Sequence, residues 1–119
     1  MKAVALFTLM LFNATTSYAA DRYSGYEGTA FELASGKMIY TESHYLHFVD
    51  AVLADRIVLY RCANGKAFGR KIMSSKGKPL MPEFELFDAR LGYREGLATR
   101  PGGLTVFYQS SVKKAEKFD

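Results

Sequence analysis

A glutamate and two histidines lie close together in one short stretch of the sequence. Glu42, His44 and His47 fall within six positions of the segment YTESHYLHF, and the chain has no other histidine. An imidazole beside a carboxylate can take part in acid–base catalysis, and two imidazoles on one face can bind a metal ion. Which chemistry applies depends on local secondary structure, since that determines which side chains share a face.

Residues 45–53 fit two secondary structures. Their apolar residues fall at offsets 0, 3, 4, 7 and 8, which is one face of a helix. The preceding KMIYTES, however, is rich in strand formers, and no good N-cap residue opens a helix there. We therefore predict a strand over 38–48 with a turn near Asp50. Side chains alternate along a strand, so His44 and His47 point to opposite faces and cannot bind the same metal ion. No metal site is predicted.

The strand prediction leaves Glu42 and His44 as a candidate acid–base pair, two residues apart on one face. The alternative is an ordinary ion pair near a sheet edge, and it has the greater weight because no nucleophile or third partner is identifiable. Neither residue is therefore assigned a catalytic role. If the face from Met38 to Phe48 points inward, we expect His44 to be sheltered beside Glu42 and His47 to be exposed.

A second group of polar residues occurs in FDARLGYREG. If this segment is a strand with a bulge at Gly92, Asp88 and Arg90 share one face and can pair. Arg90 and Tyr93, together with Tyr40, are the candidate ligand-binding residues. The alternative is a solvated ladder of charged pairs, each contributing at most ~1 kcal/mol.

The first nineteen residues have the features of a secretory signal peptide. Lys2 precedes an apolar run over 3–12, and small residues at 17 and 19 suit cleavage after Ala19. Ten apolar residues are too few to span a bilayer, which needs roughly 20. We expect a periplasmic or secreted protein that is not integral to the membrane once the signal is removed. The rest divides into one β-rich domain, 20–110, and a polar basic tail, 111–119.

Composition excludes several classes of protein. Without Lys2, fifteen basic residues stand against twelve acidic ones, a net charge near +3. That charge is too weak to imply nucleic-acid binding. Cys62 is the only cysteine, so no internal disulfide can form. No cofactor-binding motif is present, and no cofactor is predicted.

Aromatic and β-branched residues with frequent turn signals predict an all-β domain. Asn64-Gly65 suits a type I′ hairpin turn, and further turns or loops are expected at 32–37, 74–82 and 100–103. We predict an antiparallel meander of about six strands after an N-terminal signal helix. Several strands are apolar on both faces, which a curved sheet, a partial barrel or a small sandwich would cover.

The resemblance of this chain to a known family depends on three segments: EGTAFELASGKMIYTESHYL, RIVLYRCANGKAFGRK and FELFDARLGYREG. The chain resembles an uncharacterised family of secreted bacterial β-rich proteins over roughly Tyr26 to Tyr108. The resemblance implies a periplasmic β-domain and brings no activity with it. It also implies that the chain is incomplete at its C-terminus.

Three functions follow as hypotheses. The leading one is non-enzymatic binding of an apolar small molecule or of a protein of the bacterial envelope. The first alternative is an envelope hydrolase that uses Glu42 and His44 with Asp88 or Arg90, which requires the two polar segments to converge on one cleft. The second alternative is a structural module that assembles through its edge strands.

Overall fold

The computed structural model describes residues 20–75, 78, 80–111 and 117–118, which form one antiparallel sheet. The strands pair in the order in which they occur along the chain: β1 (Asp21–Phe31), β2 (Met38–Val49), β3 (Val52–Cys62), β4 (Ala67–Ser74), β5 (Glu83–Asp88), β6 (Tyr93–Arg100), β7 (Gly103–Gln109) and β8 (Lys117–Phe118). The predicted all-β antiparallel meander is confirmed, with eight strands where about six were expected.

Two parts of the predicted organisation are only partly covered by these residues. The expected signal peptide, 1–19, lies outside them, and so does most of the expected tail, in which Lys117–Phe118 pair with β7. The described residues include no helix with the length and hydrophobicity needed to cross a bilayer.

The sheet is open. β1 and β8 lie at its two edges, and each strand contacts only the strands that precede and follow it in the chain. The expected curved sheet, partial barrel or sandwich is therefore wrong for the described residues. Closing a barrel would require β1 to pair with the last strand, and a sandwich would require a second layer over one face. Short connections between consecutive strands instead extend the meander in one direction.

Strand β2 defines the two faces of the sheet. Face A carries Tyr40, Glu42 and His44, and face B carries Ser43 and Tyr45. The predicted strand over 38–48 is confirmed, since β2 ends at Val49. The pairing of β2 with β3 and of β3 with β4 continues these faces across the sheet, with one register shift in each ladder.

Few apolar side chains are fully buried. Val58 and Phe107, with 3% and 4% exposure, are the only hydrophobic residues of the described part of the chain that are shielded to this extent. Large side chains remain exposed on both faces, among them Tyr23, Tyr45, Ile57 and Ile72 on face B and Tyr26 and Val106 on face A. Cross-strand side-chain contacts and backbone hydrogen bonds therefore supply much of the stabilisation that a buried core provides in other domains.

Two hairpin turns were predicted from the sequence, and one of them has a different geometry from that expected. The turn between β2 and β3 is built on Asp50 and Ala51, which have φ of 48° and 64°, so the turn predicted near Asp50 is confirmed. The Asn64-Gly65 turn has a positive φ at Gly65 alone, 83°, and Gly65 N donates to the Cys62 carbonyl at 2.8 Å. Its predicted position is correct, but the type I′ geometry, which needs positive φ at both central residues, is wrong.

Phe107 packs where β6 has no side chain. Gly96 lies directly opposite Phe107 and is itself paired with Glu85 on its other side. A Cβ atom at position 96 would come 2.2 Å from the Phe84 carbonyl oxygen and 2.5 Å from Phe107 Cζ. The glycine thus leaves the space that the ring occupies, and this contact makes Phe107 one of the two buried apolar residues.

We expect Gly96→Ala to lower the free energy of unfolding by about 1–3 kcal/mol, because an added methyl group must displace both a backbone oxygen and a packed ring. Gly28→Ala is the matched control, since its Cβ would meet only Glu42 atoms at 3.8 and 3.9 Å, an ordinary contact. The control should change stability by less than about 0.5 kcal/mol. Urea unfolding of the two variants measures both effects, and equal losses would contradict the packing described for Gly96.

Candidate aromatic cleft on face A

Glu42 and His44 form the hydrogen-bonded pair that the sequence suggests. His44 Nε2 lies 2.8 Å from Glu42 Oε2, and the His44 side chain is 11% exposed. Tyr26 of β1 stacks on the imidazole with ring centroids 4.3 Å apart. His44 is therefore sheltered, as expected. Its other nitrogen, Nδ1, is buried without a hydrogen-bond partner.

His47 has a parallel environment on face B. Tyr23 stacks on it at 4.7 Å, and its Nδ1 lies 3.3 Å from Asp55 Oδ2. The side chain is 25% exposed, so the expectation of an exposed His47 is wrong, because the tyrosine ring covers it. The two imidazoles lie on opposite faces of the sheet. In the described part of the chain, no three His, Cys, Asp or Glu side chains are grouped to hold a metal ion.

Three aromatic rings from three adjacent strands meet on face A. The centroid of Tyr40 lies 6.1 Å from that of Tyr60 and 6.2 Å from that of Phe68, and those of Tyr60 and Phe68 are 6.0 Å apart. A β-bulge produces this contact. Arg61 pairs with Ala67 and Tyr60 with Gly69, so Phe68 is the extra residue on β4.

The rings form one side of an open cleft with a volume of about 390 Å³. We call it the aromatic cleft and define it by Tyr40, Glu42, Tyr60, Phe68, Gly69, Leu86, Asp88 and Arg90. Gly69 lies between Tyr60 and Asp88 in the register. An added Cβ at Gly69 would lie 3.5 Å from the Tyr60 ring, so the missing side chain leaves room at the floor of the cleft.

Arg90 and Asp88 form the rim of the cleft. Arg90 Nε and Nη2 donate to the two oxygens of Asp88 at 3.0 and 2.6 Å, and the guanidinium lies 3.7 Å above the centroid of Phe68. These hydrogen bonds lower the pKa of Asp88 and raise that of Arg90. Asp88 and Arg90 therefore pair as expected, but Arg90 lies beyond the end of the strand that carries Asp88.

The segment FDARLGYREG is a turn between two strands and not one continuous strand. β5 ends at Asp88, and Arg90 N donates to Asp88 Oδ1 at 2.9 Å, so the carboxylate also holds the start of the turn. Gly92 has φ of 62° and lies in this turn, so the predicted bulge at Gly92 is wrong. A positive φ suits a glycine at that position.

Tyr93 lies outside the aromatic cleft. It pairs with Asp88 in the register, and its hydroxyl donates to Glu95 Oε2 at 2.5 Å. That hydrogen bond raises the pKa of the Tyr93 hydroxyl, since it favours the protonated form. The structure therefore brings together Tyr40, Glu42 and Arg90 in one cleft, with His44 adjoining Glu42. Tyr93 does not line it.

Sequence reasoning missed the two aromatic residues Tyr60 and Phe68, as well as Gly69 and Leu86. Tyr60 and Phe68 lie in two flanks of a predicted hairpin, but only the bulge brings their rings together on one face. The pKa of Tyr60 is raised by burial and, to a smaller extent, by the nearby charge of Glu42. The signal in the sequence was an aromatic residue on each side of the Asn64-Gly65 turn.

Face B carries a second concave region, beside the edge of the sheet. Tyr23, Gly25, Tyr45 and Ile57 are among the residues that line it, and its volume is about 410 Å³. We call it the edge groove. Its lining also includes the paired side chains of His47 and Asp55.

Comparison of the chain with known protein families, with curated proteins and with solved structures gave no match. The interpretation of the cleft therefore depends on its own geometry.

Two tyrosine–glutamate pairs provide a test of the electrostatics of face A. Glu42→Gln removes a negative charge near Tyr60, so we expect the pKa of Tyr60 to fall toward the ordinary value while part of the elevation, due to burial, remains. Glu95→Gln is the matched control and should lower the pKa of Tyr93 alone. Site-resolved NMR titration of the tyrosine ring carbons measures both values. If either variant lowered the pKa of both tyrosines, this would contradict the conclusion that Glu42 acts on Tyr60 and Glu95 on Tyr93.

Proposed function

We propose that this domain is a non-enzymatic binding module whose aromatic cleft takes an apolar ligand with a flat or ring-shaped portion. The observation that carries the proposal is the convergence of three aromatic rings over a glycine floor. Tyr40, Tyr60 and Phe68 come from different strands, and none is fully buried. Aromatic rings on an accessible concave surface offer both apolar area and stacking geometry to a ligand.

Polar groups at the rim support a ligand that is not purely hydrocarbon. Glu42 uses one carboxylate oxygen for His44, while its other oxygen has no hydrogen bond to a described residue. The hydroxyls of Tyr40 and Tyr60 have none either. Small-molecule sites commonly combine apolar walls with a few such groups, which orient the ligand. A ligand with an apolar ring and peripheral hydrogen-bond donors fits this arrangement.

The geometry favours binding over hydrolysis. The two polar segments do converge on one cleft, as the hydrolase hypothesis requires, but covalent hydrolysis also needs a side-chain nucleophile within hydrogen-bonding reach of His44. Cys62 lies on face A, but it pairs with Tyr40, four residues from His44, which corresponds to about 13 Å along the strand. Ser43 points to face B, where it accepts a hydrogen bond from Arg61 and donates one to Glu27. Asp88 and Arg90 bind to each other and leave little capacity for an acid–base role.

The predicted signal peptide supports binding outside the cytoplasm, in the periplasm or after secretion. A ligand of this kind would be a small molecule or the exposed apolar group of an envelope protein. The proposal includes no nucleic acid, because the charge of the chain is low and the cleft has a carboxylate beside its rings.

Phe68→Ala tests the proposal. Loss of a ring that contacts the ligand should weaken binding of an apolar dye, anilinonaphthalene sulfonate, and of a fatty acid by about tenfold or more. Phe84→Ala is the matched control. Phe84 is also partly buried on face A and also lies under a cation, Lys71, but it does not line the aromatic cleft. Its replacement should leave affinity within about twofold.

Fluorescence titration measures both variants, with circular dichroism to verify that each is folded. The proposal fails if neither probe binds the wild-type protein. It also fails if binding is unaffected by Phe68→Ala, or if Phe84→Ala has the same effect.

A further inference from the structure

Strand β1 presents a long edge with unused backbone hydrogen-bonding groups. It has eleven residues, and among the described residues it pairs only with β2. In an antiparallel pair, alternate residues direct their N–H and C=O groups away from the partner strand. The first seven residues of β1, 21–27, are all exposed. A second strand could therefore add along most of its length.

The features that usually prevent such pairing are few in β1. Protein edge strands are commonly protected by proline, charged side chains, a bulge in mid-strand or short length. β1 contains neither proline nor lysine, and its charged residues, Asp21, Arg22 and Glu27, are of mixed sign. Its only register shift against β2 lies at the end, between Ala30 and Phe31. The two tyrosine–histidine stacks, one on each face, hold it flat against β2.

We propose that β1 pairs with β1 of a second copy of this chain, antiparallel, about a two-fold axis at Tyr26. The axis lies perpendicular to the sheet, so face A of one copy continues onto face A of the other. All eleven residues overlap in this register: Asp21 opposite Phe31, Arg22 opposite Ala30, Tyr23 opposite Thr29, Ser24 opposite Gly28, Gly25 opposite Glu27, and Tyr26 opposite Tyr26. The interface is isologous, as in most homodimers.

Side-chain chemistry selects this register over its neighbours. No like charges oppose each other in it, and it creates an aromatic pair at Tyr26 and aromatic–β-branched pairs of Tyr23 with Thr29. Such cross-strand pairs are stabilising, and like charges directly opposite are not. An axis at Gly25 opposes no like charges, but it pairs only residues 21–29 and puts two glycines where the Tyr26 pair would stand. An axis at Glu27 would oppose the two Glu27 carboxylates, and an axis at Ser24 would place Asp21 opposite Glu27 twice. All three also shorten the ladder.

The self-pairing is independent of ligand binding in the aromatic cleft. The cleft is lined by residues of β2 to β5 and of the turn after β5, and no residue of β1 takes part. The edge groove on face B, in contrast, includes Tyr23 and Gly25. In the dimer the edge grooves of the two copies lie on the same face, one on each side of the axis.

A pair of matched double variants tests the pairing and its register. Ser24 opposes Gly28 of the second copy, so S24K/G28K puts two like-charged pairs in the interface, while S24E/G28K puts two opposite-charged pairs there. Both carry G28K, which faces Glu42 within its own chain. Size-exclusion chromatography with light scattering over a range of concentrations gives the mass and the dissociation constant of each.

We expect the wild-type protein and S24E/G28K to have the mass of a dimer, and the dissociation constant of S24K/G28K to be at least about tenfold higher than that of S24E/G28K. A wild-type protein that remains monomeric at all concentrations overturns the proposal. Equal dissociation constants for the two variants overturn it as well, since the dimer would then use another surface or register.

Hydrogen exchange of the wild-type protein gives a test that does not depend on the folding of any variant. Amide protection in residues 21–31 should increase with protein concentration, while protection in β3 should not. Protection of β1 that is independent of concentration contradicts the pairing.

Discussion

The antiparallel register between neighbouring strands determines where each side chain of this sheet points. With only Val58 and Phe107 buried among apolar residues of the described chain, packing against a second layer does not set these directions. The ladders do. The pairing of Glu42 with Tyr60, and of Gly69 with Asp88, places residues distant in sequence on one side of the sheet. A shift of one residue in any ladder would move these side chains to opposite faces.

Departures from this register produce the local features of the molecule. The bulge at Phe68 puts an aromatic side chain beside a glycine and thereby creates both a wall and a floor. The turn after Asp88 then returns Arg90 over the same ring, because the Asp88 carboxylate binds the backbone as well as the guanidinium of Arg90. One irregularity in β4 and one turn thus convert a regular surface into a cleft.

The sequence predicts the secondary structure of this chain better than its tertiary arrangement. Alternation in MIYTESHYLHFV and the Asn64-Gly65 turn were sufficient to predict the strand, the hairpin and the opposite facing of His44 and His47. Apolar residues on both faces of β3 suggested a covering layer, but composition does not specify what supplies it. The geometry at Gly65 also depends on hydrogen bonds of Cys62 that no dipeptide pattern contains.

The cleft itself was predictable only in part. Tyr40, Glu42 and Arg90 were candidates because of their chemical types, and they do converge. Tyr60 and Phe68 were missed because a bulge shifts the facing of every residue beyond it, and a bulge has no strong sequence signature outside glycine. Tyr93 is a candidate only if its segment forms one continuous strand, whereas four residues of turn separate it from Asp88.

The order of the strands has a consequence for how the chain acquires its structure. Since each strand contacts only its neighbours along the chain, the sheet resembles a one-dimensional array of repeating units more than a globular domain. Loops between partners are short, so little chain entropy is lost when each ladder closes, and folding can start at any hairpin and spread to both sides. In a single copy of the chain, opening is expected to begin at the outermost strands and to proceed inward one ladder at a time, so the centre of the array around β3 and β4 is the last part to lose its structure.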